Sequence, residues 1–162
     1  MMNTRGLWFD SKYSKENCIS EPFDDELLKS IEEELGYKLP ESYVELMRKH
    51  NGGSLKRCRL DIGNTYTILD VLFGIGREKE DSICGKYGTK FWLEEWGYPD
   101  IGVVLAETDS AGHELIFLDY TECGPEGEPK VVYVDQEADY EKTVVAENFE
   151  EFINKLREDD EY

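Results

Sequence analysis

Leu39-Pro40-Glu41-Ser42-Tyr43-Val44-Glu45-Leu46-Met47-Arg48-Lys49-His50-Asn51-Gly52-Gly53 reads as one short helix with both ends marked. Pro40 suits the first helical position, where its missing N–H costs nothing and its fixed φ already fits. Tyr43, Leu46, Met47 and His50 recur at steps of three and four, so they share a face. Asn51-Gly52-Gly53 then ends the helix, because Asn and Gly tolerate the left-handed backbone used at helix C-termini. Nothing in the stretch is reactive, which makes it an anchor for a fold.

Upstream, a second helix starts near Asp24, which caps its amides. Asp25 and Glu26 complement the dipole, and Phe23 is placed to staple onto Leu28. Leu27, Leu28, Ile31 and Leu35 form its buried stripe, and Gly36 stands where a left-handed terminator belongs. The link between the two helices is short, so they are expected to pack as a pair. Before them, Leu7-Trp8-Phe9 is an apolar trio that tacks an arm onto a core, and residues 13–20 read as loop.

Downstream the period changes. Residues 55–62 alternate loosely, and residues 66–73, rich in β-branched and aromatic types, follow the Gly63-Asn64 turn as a strand. Residues 74–88 match neither the P-loop nor the dinucleotide fingerprint and read as a connector. Thr89 is a candidate cap for a short helix over 90–96, stopped by Gly97 and Pro99. Strands follow at 102–106, 113–120 and 130–134, with a short edge strand at 142–145. Their brief links imply an antiparallel meander. Asn148 and Glu151 form a capping-box-like start to a last helix with Phe149, Phe152, Ile153 and Leu156 on one face, and Arg157 favours its C-terminal end. The order implies an α+β fold of one domain: a mainly antiparallel or mixed sheet flanked by two N-terminal helices, a short middle helix and a C-terminal helix.

Charge is the loudest compositional signal: 37 acidic against 18 basic residues, net −19 over 162 residues. Eleven acids and three bases fall within 135–162, and the rest of the excess is spread along the chain. Such a field repels nucleic acid and anionic lipid and attracts basic partners. It also serves solubility alone. No run approaches the roughly 20 apolar residues that span a bilayer, and the first residues lack the apolar core of a secretory signal. A cytoplasmic protein is therefore expected. Cys18, Cys58, Cys84 and Cys123 are far apart and form no C-x-x-C pair, so reduced, isolated thiols are expected and no zinc site.

In their order, Ile31-Glu32-Glu33-Glu34-Leu35-Gly36, Leu39-Pro40-Glu41-Ser42-Tyr43 and Asn51-Gly52-Gly53 resemble the opening of the SUKH superfamily (Smi/Knr-type domains). Glu147-Asn148-Phe149-Glu150-Glu151-Phe152 resembles its closing helix, and the strands at 103–106, 112–120 and 127–135 look like its central strands. The resemblance implies an N-terminal arm over 1–22, a SUKH-like domain over 23–157 and an acidic tail over 158–162. It implies a binding module and not an enzyme, with no catalytic motif and no cofactor. Bacterial members are mostly immunity proteins that bind and block a cognate toxin domain, often a nuclease or another nucleic-acid-directed enzyme. A fungal branch regulates through protein contacts. Because the contact surface differs among members, residue-level transfer stops at the scaffold positions Leu39, Pro40, Tyr43, Asn51 and Gly52.

Among candidate chemistry, Glu107, Asp109, His113 and Glu114 have the donor types for a hard divalent ion or acid–base work. The same stretch holds Asp, Ser and Gly, which a strand-to-strand turn demands anyway, and the turn reading is preferred. His50 reads as packing or capping, Asp70 and Asp119 as surface or turn residues. Arg48, Lys49, Lys56, Arg57 and Arg59 are read as internal ion-pair partners. If the chain is an immunity protein, its partner is a basic, nucleic-acid-directed toxin, with no direct nucleic-acid or membrane contact. Exposed acids near the sheet ends, with one tryptophan as an aromatic anchor, are then the candidate partner-binding residues: Glu107, Asp109 and Glu114; Asp135, Gln136 and Glu137; and Glu94, Glu95 and Trp92. The alternative is a regulatory or scaffolding domain without a toxin partner.

Overall fold

The structure is a computed structural model that describes residues 1–159; Asp160, Glu161 and Tyr162, the end of the expected acidic tail, lie outside the described residues. The helices are α1 (Lys12–Asn17), α2 (Asp25–Leu35), α3 (Glu41–Lys49), α4 (Thr89–Glu95) and α5 (Phe149–Lys155). The strands are β1 (Gly53–Ser54), β2 (Arg59–Ile62), β3 (Thr65–Leu72), β4 (Gly102–Thr108), β5 (Glu114–Asp119), β6 (Lys130–Asp135) and β7 (Glu141–Ala146). They form one sheet in the order β1-β3-β4-β5-β6-β7, with β2 also on β3, and every strand pair is antiparallel. The fold is therefore α+β, as expected. Residues 103–106, 115–118, 131, 132 and 134 of the central strands are buried and form the middle of the core.

Local chemistry explains most element ends. Asp24 Oδ1 accepts the Leu27 N–H at 2.8 Å and Asn148 Oδ1 accepts the Glu151 N–H at 2.8 Å, both capping as read. Gly36 ends α2 at φ 82°. Pro40 is one place earlier than expected: its backbone is extended and its carbonyl accepts the Val44 N–H, so it is the cap residue and Glu41 the first helical one. Tyr43, Leu46 and Met47 face the core, but His50 has left the helix in extended conformation. Thr89 is likewise inside its helix, and its Oγ1 accepts the Val104 N–H at 3.1 Å instead of capping. The last helix ends at Lys155, and Arg157 pairs with Asp61 at 2.8 Å across the molecule.

Two expectations fail for tertiary reasons. Residues 12–17 are helical, not loop; Ser11 Oγ caps them by accepting the Ser14 N–H at 3.1 Å. Helix α3 packs on α5 rather than chiefly on α2: the Tyr43 and Phe149 rings meet edge to face at 5.2 Å. Helix α2 reaches α3 through an ion pair between Asp25 and Arg48 at 2.7 Å.

Among the described residues, three of the five members of the basic cluster, Arg48, Lys56 and Arg59, form ion pairs, while Lys49 is exposed and Arg57 bonds carbonyls instead. Lys56 pairs with Glu158 and Arg59 with Asp61. Arg57 is buried and acts as a clasp between the chain ends: Nε donates to the Leu156 carbonyl, Nη2 to Ile153, and Nη1 to the carbonyls of Asn3 and Arg5. Asn51 works through its side chain and not through a left-handed backbone. Its amide donates to the carbonyls of Glu21 (2.8 Å) and Ile75 (3.0 Å), while its Oδ1 accepts the Ile75 N–H (2.7 Å). Gly52 takes the left-handed turn at φ 84°, where a Cβ would sit 2.5 Å from the Gly74 nitrogen. The scaffold residues Leu39, Pro40, Tyr43, Asn51 and Gly52 are all buried.

Candidate functional site

The pairing of β3 with β4 slips at one place. Leu69 faces Thr108 and Val71 faces Glu107, so Asp70 is the extra residue of a β-bulge. A bulge re-aims the extra side chain and sharpens the local twist. Here it brings Asp70 to the same open groove as Glu107 and Asp109, a space of about 550 Å³ walled on the other side by Tyr87, Phe91 and Trp96. Asp81, from the connector 74–88, acts on the same place, since its charge and that of Asp70 are both felt at Glu107.

These carboxylates disturb one another. Burial first, then Asp81 and Asp70, pushes the Glu107 carboxyl up to about 7. Asp70 stays open to water on one side, yet desolvation by the groove walls and the charge of Asp109 raise it. Asp81 is raised by desolvation, against a hydrogen bond from the Cys18 thiol at 3.7 Å, with Glu80 and Asp70 adding to the rise. Among the described residues, no lysine, arginine or histidine forms an ion pair with Asp70, Asp81, Glu107 or Asp109. Asp61 shows the contrast: hydrogen bonds and charge from Arg157 and Arg59 hold it below its usual range despite some desolvation. Asp119, buried in β5, is held low by Lys142 at 2.7 Å and by Thr121, which outweigh burial.

The remaining expected contacts are dispersed. Glu107 lies opposite Leu115, so strand alternation puts Glu107 and Glu114 on opposite faces. Glu114 accepts a hydrogen bond from Thr67 Oγ1 at 3.0 Å. Asp135 caps a short 3₁₀ turn by accepting the Glu137 N–H at 3.0 Å. Gln136 Oε1 meets His113 Nδ1 at 2.9 Å, and Glu137 lies 3.6 Å from the same ring nitrogen. Glu107 and Asp109 share the groove, His113 and Glu114 are engaged elsewhere, and no group of three ligand-type side chains among the described residues is arranged to hold a metal.

Trp92 is 5% exposed and donates its Nε1–H to the Tyr87 carbonyl at 2.9 Å, so it belongs to the core. Trp96, half-buried beside it, presents its ring to the groove and meets His113 edge-on at 5.5 Å. Gly112 makes this packing possible: at φ 94° a Cβ there would lie 2.7 Å from the Trp92 ring. Glu94 and Glu95 are exposed at the end of α4. Asp81, Tyr87 and the groove role of Asp70 escape a reading of the sequence, because a bulge and a long connector assemble them and neither has a local signature.

Residues 22–155 match the model of the family described as SMI1 / KNR4 family (SUKH-1). No curated protein matches the chain.

Proposed function

The chain belongs to the SMI1 / KNR4 family (SUKH-1), and from that membership we propose that it is an immunity protein, which binds a cognate protein toxin and blocks it by covering it, without catalysis of its own. The observation that carries this reading is the groove lined by Asp70, Glu107 and Asp109, where the charge of nearby Asp81 is also felt, and where none of these partly desolvated carboxylates forms an ion pair among the described residues. Like charges held together cost free energy in the unbound protein, and a lysine or arginine from outside relieves that cost. Aromatic walls at Phe91 and Trp96 suit the flat guanidinium or the lysine stem that would enter. A toxin that grips nucleic-acid phosphates carries such cations in its active site, so carboxylates take the phosphate positions. Glu107 and Asp109, with Asp70 and Asp81, are the central contacts in this reading, and Glu94 and Glu95 flank them. Glu114, Asp135, Gln136 and Glu137 are a separate, peripheral patch.

Capture of a toxin from the native host by the wild-type protein, followed by co-expression with that toxin, tests the reading. Wild-type protein should restore growth and co-purify with the toxin. Asp70→Lys with Glu107→Lys should abolish both while leaving the fold intact by circular dichroism. A toxin that still kills in the presence of soluble wild-type protein would exclude the immunity role. Full protection by the charge-reversed variant would move the interface elsewhere.

A further inference from the structure

Helix α1 is tied to the strand and the connector next to the groove carboxylates. Ser14 Oγ accepts the Ser54 N–H at 3.0 Å, and Ser54 pairs with Val71, the neighbour of Asp70. From the same helix end, the Cys18 thiol reaches Asp81 at 3.7 Å, and Lys79 Nζ donates to the Glu16 carbonyl at 2.8 Å. Ser14 and Cys18 are fully buried, so one face of α1 fastens it. The stretch just before is fixed as well. Trp8 lies flat on His50 at 4.0 Å, the Phe9 N–H donates to Ser54 at 2.9 Å, and Asp10 meets His50 Nε2 at 2.8 Å.

Against this fixed backbone, Phe9 is 56% exposed and Tyr13 62% exposed, and among the described residues Tyr66 is the one other aromatic of the exposed large hydrophobic side chains. Neither ring is needed for the seat that Trp8 fills. Rings held by a fixed backbone but open to water lose little entropy on being covered, which is the property of an interface anchor. Within the stretch Lys12 and Lys15 balance Asp10 and Glu16, but the charges of Asp81, Asp70 and Glu107 all reach Tyr13, and with a net charge of −19 on the chain this favours a basic occupant over a second copy of this acidic chain. We propose that Phe9 and Tyr13 are the apolar half of the toxin-binding surface, that the groove carboxylates are its charged half, and that this N-terminal stretch selects which basic toxin is bound. The inference rests on the immunity reading. It also places partner selection outside residues 22–155, the part that matches the family.

The test measures binding kinetics of the full chain to a catalytically inactive form of the toxin captured from the native host, at two salt concentrations. Phe9→Ala with Tyr13→Ala should weaken Kd by about tenfold or more, through faster dissociation and with an unchanged salt slope. Asp70→Asn with Glu107→Gln should instead slow association and flatten the salt slope. Both Phe9 and Tyr13 are exposed, so an unaltered melting temperature should accompany the first variant. Binding by that variant within twofold of wild type, with the groove variant impaired, overturns this inference alone. No binding by the wild type overturns it together with the immunity reading.

Discussion

Asn51 shows how much one side chain can settle. Its three hydrogen bonds join the segment before α2, the end of α3 and the start of the 74–88 connector. Asn51→Ala leaves buried backbone groups of Ile75 without partners and should cost about 2–4 kcal/mol in urea unfolding. Asn51 is readable from sequence as a helix stop, but not as a bridge, because the groups it joins come from distant segments. Glu107 carries a pH signature. Its carboxyl sits at about 7 in the folded chain and returns to about 4.3 when unfolded. Between those values the folded state holds the extra proton, so stability falls as pH rises through the window and the loss is complete above 7. Glu107→Gln should therefore raise stability at pH 8 by about 1–2 kcal/mol after allowance for solvent screening, and by little at pH 4. A melting-temperature gain that is equal at both values would show that Glu107 is not the titrating group.

At the level of elements, the β4–β5 hairpin and α4 work as one part. Gly112 lets the hairpin turn press against Trp92 and Trp96, which in turn hold the aromatic wall of the groove. Gly112→Ala should cost about 1–3 kcal/mol, from a strained φ and an overpacked contact, and should shift tryptophan fluorescence. Elements with local signals were legible: the Asp24 and Asn148 caps, the Gly36 stop, and the β-branched runs of β3 to β6. Helix α1 was not, since Lys12-Tyr13-Ser14-Lys15-Glu16-Asn17 has no apolar period and is held by Ser14, Cys18 and Lys79 instead. The acids of the β4–β5 link stood out as candidates, but their division between two faces follows from strand register. Asp70 joins Glu107 only through the bulge, a one-residue slip that residue types do not announce.

At the scale of the whole molecule, net charge −19 makes long-range attraction the first event in meeting a basic partner. Association with the proposed toxin should slow by about tenfold or more between 0.05 and 0.5 M NaCl, as stopped-flow fluorescence would show, while dissociation changes little. A salt-independent association rate would argue against steering. Among the described residues no helix is long and apolar enough to cross a membrane. The Arg57 clasp carries a consequence for synthesis. It gathers carbonyls from Asn3, Arg5, Ile153 and Leu156, so it closes only when residue 156 has cleared the ribosome. A nascent chain stalled before Ile153 has the groove residues but not the clasp that locks the segment around Asn3 and Arg5.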